Sequence, residues 1–142
     1  MDFWVGAWRI VDPTTFANYG QSQITMTLEG CGIEERWEGL DGFKAQSLYY
    51  FNAPEARWEQ VWVTTDTSRK GGLKLRKQLT DFDGAGVQFQ GLLRDIDGQQ
   101  LLDRTTITAL GDGRIRQLIE QSSDGGNSWA TIFDGLYLPA GQ

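Results

Sequence analysis

Acid-base chemistry in this chain falls to Asp, Glu, Tyr, Lys and a single cysteine, because none of its 142 residues is a histidine. That absence rules out histidine-ligated haem, the usual catalytic zinc sites, Ser-His-Asp triads and imidazole general bases. Among the groups that remain, Glu35 is placed unusually. It lies in IEERWEG (33–39) between Ile33 and Trp37. The period of two in a strand sends those three side chains to one face and Glu34, Arg36 and Glu38 to the other. If the Ile33 and Trp37 face is the core face, Glu35 is a carboxyl inside the folded protein. A lone buried charge is costly, so Glu35 must be protonated, paired with an arginine such as Arg104 or Arg116, or hydrogen-bonded by Gln60 or Gln117. A structural ion pair satisfies that condition, and so does a polar anchor or general acid/base for a bound molecule.

Three glutamines form a second polar set. Gln60 sits between Trp58 and Trp62, and Gln117 and Gln121 flank Ile119. Val61, Val63 and Leu118 argue for the opposite faces, so parity leaves these strands open. Cys31 has no neighbour to hold a thiolate and reads as a small, partly buried hydrophobe. It cannot form a disulfide within the chain, which favours a reducing compartment. The loop residues Asp81, Asp83, Asp95, Asp97, Asp112 and Asp124 lack the spacing and downstream Glu of a calcium loop, and turn chemistry accounts for them.

The elements that must position these groups are strands. Period-two alternation recurs throughout, broken by Gly and Asp turn signals. The expected strands are residues 4–11, 23–29, 33–39, 43–52, 57–65, 73–79, 86–93, 101–110, 114–122 and 129–138. Asp41-Gly42 between alternating runs is a strong hairpin signal, and DPTTFANYGQS holds at most a short helical turn. About ten strands joined by short connections predict an all-β, antiparallel up-and-down barrel as one domain over 1–142. Closure removes the exposed edges of so wide a sheet. A two-sheet sandwich is the alternative.

Net charge is -6, and the 13 basic residues are scattered apart from a group at Arg69 to Lys77. Nucleic acid is therefore not an expected partner. No apolar run approaches a membrane span, and the short tryptophan-rich start is no signal peptide, so a soluble, cytoplasmic protein is expected, with a homodimer allowed.

Two motifs carry resemblances. SSDGGNSW (122–129) resembles the Asp box of sialidase-type propellers. There the box recurs once per blade of roughly 40–50 residues, and here it occurs once. Its physical content is a turn: Asp124 with Ser122 or Ser128 bonding loop N–H groups, Gly125 and Gly126 at positive φ, and Trp129 packing back over a hairpin. Gly6-Ala7-Trp8 is a G-x-W at the start of the first strand. It resembles the lipocalins and their calycin relatives, and GAWRI, GCGIEERWEG, RWEQVWV and DGRIRQLIEQSSDGGNSWATIFDGLY resemble small bacterial lipocalin-like proteins of largely unassigned function. The resemblance implies a lipocalin or fatty-acid-binding-protein-like barrel with Trp8 closing one end, an arginine of a late strand (Arg114 or Arg116) across its ring, and little about activity. The haem-binding, nitrobindin-like relatives use a histidine that this chain lacks, so no haem, metal or other cofactor is expected.

The faces expected inward carry Trp8, Ile33, Glu35, Trp37, Phe43, Tyr49, Phe51, Trp58, Gln60, Trp62, Phe89, Phe133 and Tyr137. Aromatics with a few polar groups are the usual lining of a small-molecule pocket. The expected function is binding of an amphipathic or aromatic small molecule inside the barrel by Glu35, Trp37, Tyr49, Trp58, Gln60, Trp62, Phe89, Arg104, Gln117 and Phe133. The alternative is a cofactor-free isomerase, cyclase or hydratase with Glu35, helped by Tyr49 or an arginine, as general acid/base. A third reading is an interaction module with a filled core.

Overall fold

The computed structural model describes residues 1–65 and 75–141. The polar loop at 66–72 and the expected start of the sixth strand at Leu73 and Lys74 lie outside the described residues. Ten strands follow one another: β1 (Gly6–Val11), β2 (Asn18–Thr27), β3 (Gly32–Gly39), β4 (Lys44–Asn52), β5 (Arg57–Thr64), β6 (Leu75–Phe82), β7 (Gly86–Arg94), β8 (Gln100–Ala109), β9 (Ile115–Ser122) and β10 (Ala130–Pro139). Each pairs antiparallel with the next, and β10 pairs with β1, so the sheet closes into an up-and-down barrel. Closure excludes the sandwich, and along the β1–β10 seam Trp8 to Val11 pair with Leu136 to Pro139.

Most boundaries shift by one to three residues from the sequence reading, and two differences bear on the core. β2 begins at Asn18, five residues earlier than expected. Trp4 belongs to a 3-10 turn (Asp2–Trp4) rather than to β1. That turn seats the Trp4 indole in the core at 0% exposure, a burial unavailable to a residue at the frayed start of a strand. The indole N–H of Trp8 then donates to the Trp4 carbonyl at 3.0 Å.

The interior is layered. At the end holding the N-terminus, Trp4, Trp8, Ile24, Ile33, Tyr49, Val87, Phe89, Ile107, Ile115 and Tyr137 pack as one apolar cluster. Burying each large side chain contributes about 1.5–3 kcal/mol. We call this the sealed end and the opposite one the mouth. One step along the same inward faces, two residues toward the mouth, the chemistry changes. Ile24 gives way to Ser22, Ile33 to Glu35, Tyr49 to Ser47, Trp58 to Gln60, Leu79 to Lys77, Ile107 to Thr105 and Ile115 to Gln117, and all seven polar residues are buried. A polar ring thus lies on an apolar floor.

Gly91 and Gly135 occupy the same ring on β7 and β10. A methyl group at Gly135 would meet the Phe133 ring at 2.5 Å, and one at Gly91 would meet the Arg76 carbonyl oxygen at 2.3 Å. Neither position has room for a side chain.

The hairpin expected at residues 122–129 forms. Ser122 Oγ accepts from the Gly126 amide at 2.9 Å, Asp124 accepts from the Ser128 amide at 2.9 Å, and Gly125 and Gly126 have φ of 73° and 95°. The Trp129 indole N–H donates to the Gly126 carbonyl at 3.1 Å.

Candidate functional site

Glu35 lies in the ring at 5% exposure. The Ser22 hydroxyl donates to its Oε1 at 3.1 Å. The Tyr137 hydroxyl stands 3.1 Å from the same oxygen and 2.8 Å from Gln117 Oε1. A phenol has one hydrogen and here two acceptors. When Glu35 is ionised, Tyr137 and Ser22 both donate to it. When Glu35 is protonated, its own hydrogen goes to the Tyr137 oxygen and Tyr137 donates to Gln117. Burial raises the Glu35 pKa from 4.5 to about 7, with the Ser22 and Tyr137 hydrogen bonds opposing the rise. Both arrangements are therefore populated near neutral pH.

Neither Arg104 nor Arg116 reaches this carboxyl, which removes the ion pair from the three alternatives for Glu35. Arg104 lies between Asp103 and Thr105, whose side chains point inward, so the period of two turns it outward. There it binds Glu120 at 2.9 Å and lies 3.8 Å over the Trp129 ring. Arg116 also points outward and forks onto Asp134 at 2.6 and 2.8 Å. The arginine expected across Trp8 is absent as well: Arg114 binds Asp112 at 2.6 Å, and the Trp8 ring meets Tyr137 edge-on at 6.4 Å.

A second group adjoins the first across β4 and β5. Gln60 Nε2 donates to the Tyr49 hydroxyl at 2.8 Å and to Ser47 Oγ at 3.2 Å, while Gln60 Oε1 is buried with no hydrogen-bond partner. Burial first, and then the charge of Glu35, raise the Tyr49 pKa well above its ordinary value, with the Ser47 hydrogen bond opposing. Gln117 and Gln60 both face inward, which settles the parity left open by Leu118 and Val61.

A third group joins β6, β8 and β9. The Lys77 ammonium contacts Asp103 and the Thr105 hydroxyl, and Gln121 Nε2 donates to Asp103 Oδ2 at 2.8 Å. Burial lowers the Lys77 pKa, with Asp103 opposing. The sequence reading passed over Lys77, Asp103 and Ser22, although a signal existed for each. Lys77 stands two residues from Leu75 and Leu79, Asp103 two from Leu101, and Ser22 two from Ile24.

On the mouth side, aromatics gather above Glu35. Trp37 meets Phe43 edge-on at 5.6 Å and Phe133 at 6.5 Å, and Tyr19 meets Phe133 at 5.8 Å. They line a cleft of about 570 Å³ that Leu40 and Ile132 complete. Another hollow, about 610 Å³, spreads over the outside of β1 to β5 among exposed side chains such as Gln21, Arg36, Glu38 and Gln46. Polar side chains on a barrel exterior explain it without a ligand.

The ten residues expected to bind a ligand therefore divide. Glu35 and Gln117 meet through Tyr137, Tyr49 and Gln60 adjoin them, and Trp37 and Phe133 line the cleft. Trp62 packs instead with Leu93 and Leu101. Phe89 is fully buried floor, edge-on to Tyr49 at 5.4 Å. Trp58 lies on the sealed-end side of Gln60 against Phe51, a residue 50% exposed where the barrel ends. Arg104 is outside. Cys31, expected to be partly buried, is exposed just after the Leu28–Gly30 turn.

No protein-family model matches this chain, and no curated protein matches its sequence. Among the described residues no helix is long and apolar enough to cross a membrane.

Proposed function

We propose that this lipocalin-like barrel, a single domain, binds a small amphipathic or aromatic molecule at its mouth, without metal or haem. The ring of the ligand lies on Trp37 and Phe133, and its polar end points to Glu35. The observation that carries this reading is a juxtaposition. Trp37 stands one inward step above Glu35 on β3, a rise of about 7 Å, and it lines the aromatic cleft, so the cleft lies one step from the buried Glu35, Tyr137 and Gln117 chain. A carboxyl that is half protonated near neutrality both donates and accepts, which suits a hydroxyl, carbonyl or amide better than a carboxylate. The proposal places the protein in the cytoplasm, where exposed Cys31 stays reduced.

Tryptophan quenching during titration with hydroxylated aromatic compounds such as 1-naphthol tests it. Trp37→Leu is expected to weaken binding by about tenfold, near 1.4 kcal/mol, and Arg104→Ala to leave it unchanged. No quenching of the unmodified protein by any compound in such a panel overturns the proposal.

One observation favours a second reading, cofactor-free proton transfer by an isomerase, cyclase or hydratase. Glu35 titrates near neutrality in contact with a phenol, although the phenol in direct contact is Tyr137 rather than Tyr49. A general acid/base works best with a pKa near the operating pH. Turnover of a substrate by Glu35→Gln at the unmodified rate removes that reading.

A further inference from the structure

Lys77 is 3% exposed, and its amine lies on the inner face of β6. An ion pair with Asp103 in such a place is not required for stability, because apolar residues of similar volume commonly serve as well or better. The surroundings of the amine have a further property. Gln60 is the cross-strand partner of Lys77, and its Oε1 is a buried acceptor with no hydrogen-bond partner. Cross-strand partners have Cβ atoms about 5 Å apart. A proton acceptor, Asp103, thus touches the amine, and the residue paired with Lys77 on the neighbouring strand carries an unsatisfied hydrogen-bond acceptor. Toward the mouth, Trp62, Leu93 and Leu101 form an apolar cluster separate from the floor.

We propose that Lys77 is a carbonyl-binding lysine that holds an apolar aldehyde as an imine inside the barrel. This rests on reading the barrel as a ligand-binding protein and adds a ligand class. The step balances without a redox partner. Asp103 takes a proton from the Lys77 ammonium, and the free Nζ adds to the aldehyde carbon. A proton passes from nitrogen to the former carbonyl oxygen, giving a carbinolamine whose hydroxyl donates to Gln60 Oε1. Asp103 returns its proton to that hydroxyl, which leaves as water, and a cationic imine remains paired with the Asp103 carboxylate. One positive charge enters and one remains, so the buried pair is never left uncompensated. Desolvation of Lys77 favours the neutral amine that the addition needs. The apolar remainder of the ligand lies against Trp62, Leu93 and Leu101.

The test is incubation of the intact protein with trans-cinnamaldehyde and cyanoborohydride, followed by mass measurement and peptide mapping. Cinnamyl alcohol, which cannot form an imine, is titrated separately by tryptophan quenching. The expected result is one cinnamyl group on Lys77, added at least about tenfold faster than on Lys44, whose side chain is 63% exposed. Asp103→Asn should slow the addition, and Lys77→Arg should abolish it. Quenching by the alcohol with no adduct on Lys77, or an adduct there no faster than on Lys44, overturns the imine and leaves the ligand-binding proposal standing. An adduct on Lys77 without quenching by the alcohol supports the imine and counts against the mouth cleft. These outcomes rest on the unmodified chain, so they hold even if a variant fails to fold.

Discussion

The two ends of the barrel use the same residue types to opposite effect. At the sealed end Trp4 and Trp8 are 0% and 7% exposed, tied to each other by a hydrogen bond and packed on Tyr49 and Tyr137. At the mouth Trp37 and Trp62 are only half-buried, and the rings around Trp37 enclose a cleft. Part of the cause is strand pairing. β10 pairs with β1 only from Leu136 to Pro139, so its mouth-side half, Ala130 to Gly135, bonds to β9 alone. At the sealed end the N-terminal turn supplies the cover that the strands do not. Tryptophan content therefore says little about where a ligand enters, and the number of covering elements decides it.

That contrast can be broken most directly by truncation. Trp8→Ala is expected to cost about 3–5 kcal/mol in urea unfolding, as for other buried aromatics. Trp62→Ala, which loses a partly solvated ring, should cost about 1–2 kcal/mol. Equal losses would show that the mouth is packed as tightly as the floor.

The polar ring between the ends gives the next largest effect. Glu35 has an ordinary value of 4.5 in the unfolded chain and about 7 in the folded one. Between those values the native state holds a proton that the unfolded state has released, so stability falls as pH rises. The contribution is complete below pH 4.5 and gone above about 7, and the difference corresponds to about 3 kcal/mol. Glu35→Gln should flatten this slope, matching the unmodified protein near pH 4 and exceeding its stability at pH 8. Parallel pH profiles of unfolding free energy would mean that Glu35 is already ionised or well solvated.

The smallest effect sharpens the inside-outside division. Arg104→Ala removes an outer ion pair with Glu120 and the contact over Trp129, and should cost about 1 kcal/mol or less. A larger loss would show that the Trp129 hairpin depends on that stacking.

Much of this was legible in the strand pattern. Nearly all of the expected strands agree with the observed ones to within a few residues, because alternation and glycine turns are local properties. Glu35 was found for the same reason: Ile33 and Trp37 fix its face whatever lies across the barrel. The partners were not legible. Arg104 was offered to Glu35 on charge alone, although its own neighbours turn it outward. Lys77 was overlooked because the basic run around it looks solvent-facing until Leu75 and Leu79 are counted.

The sequence by itself determined about ten strands, the inward face of β3 that carries Glu35, and the lack of any histidine chemistry. Only the tertiary structure decided that β10 closes on β1, and so that Tyr137 meets Glu35, 102 residues away in the chain, and that Lys77 meets Asp103. The period of two settles which side of a strand a residue takes. It is silent on which residues meet across the interior, because that depends on the stagger between strands at closure.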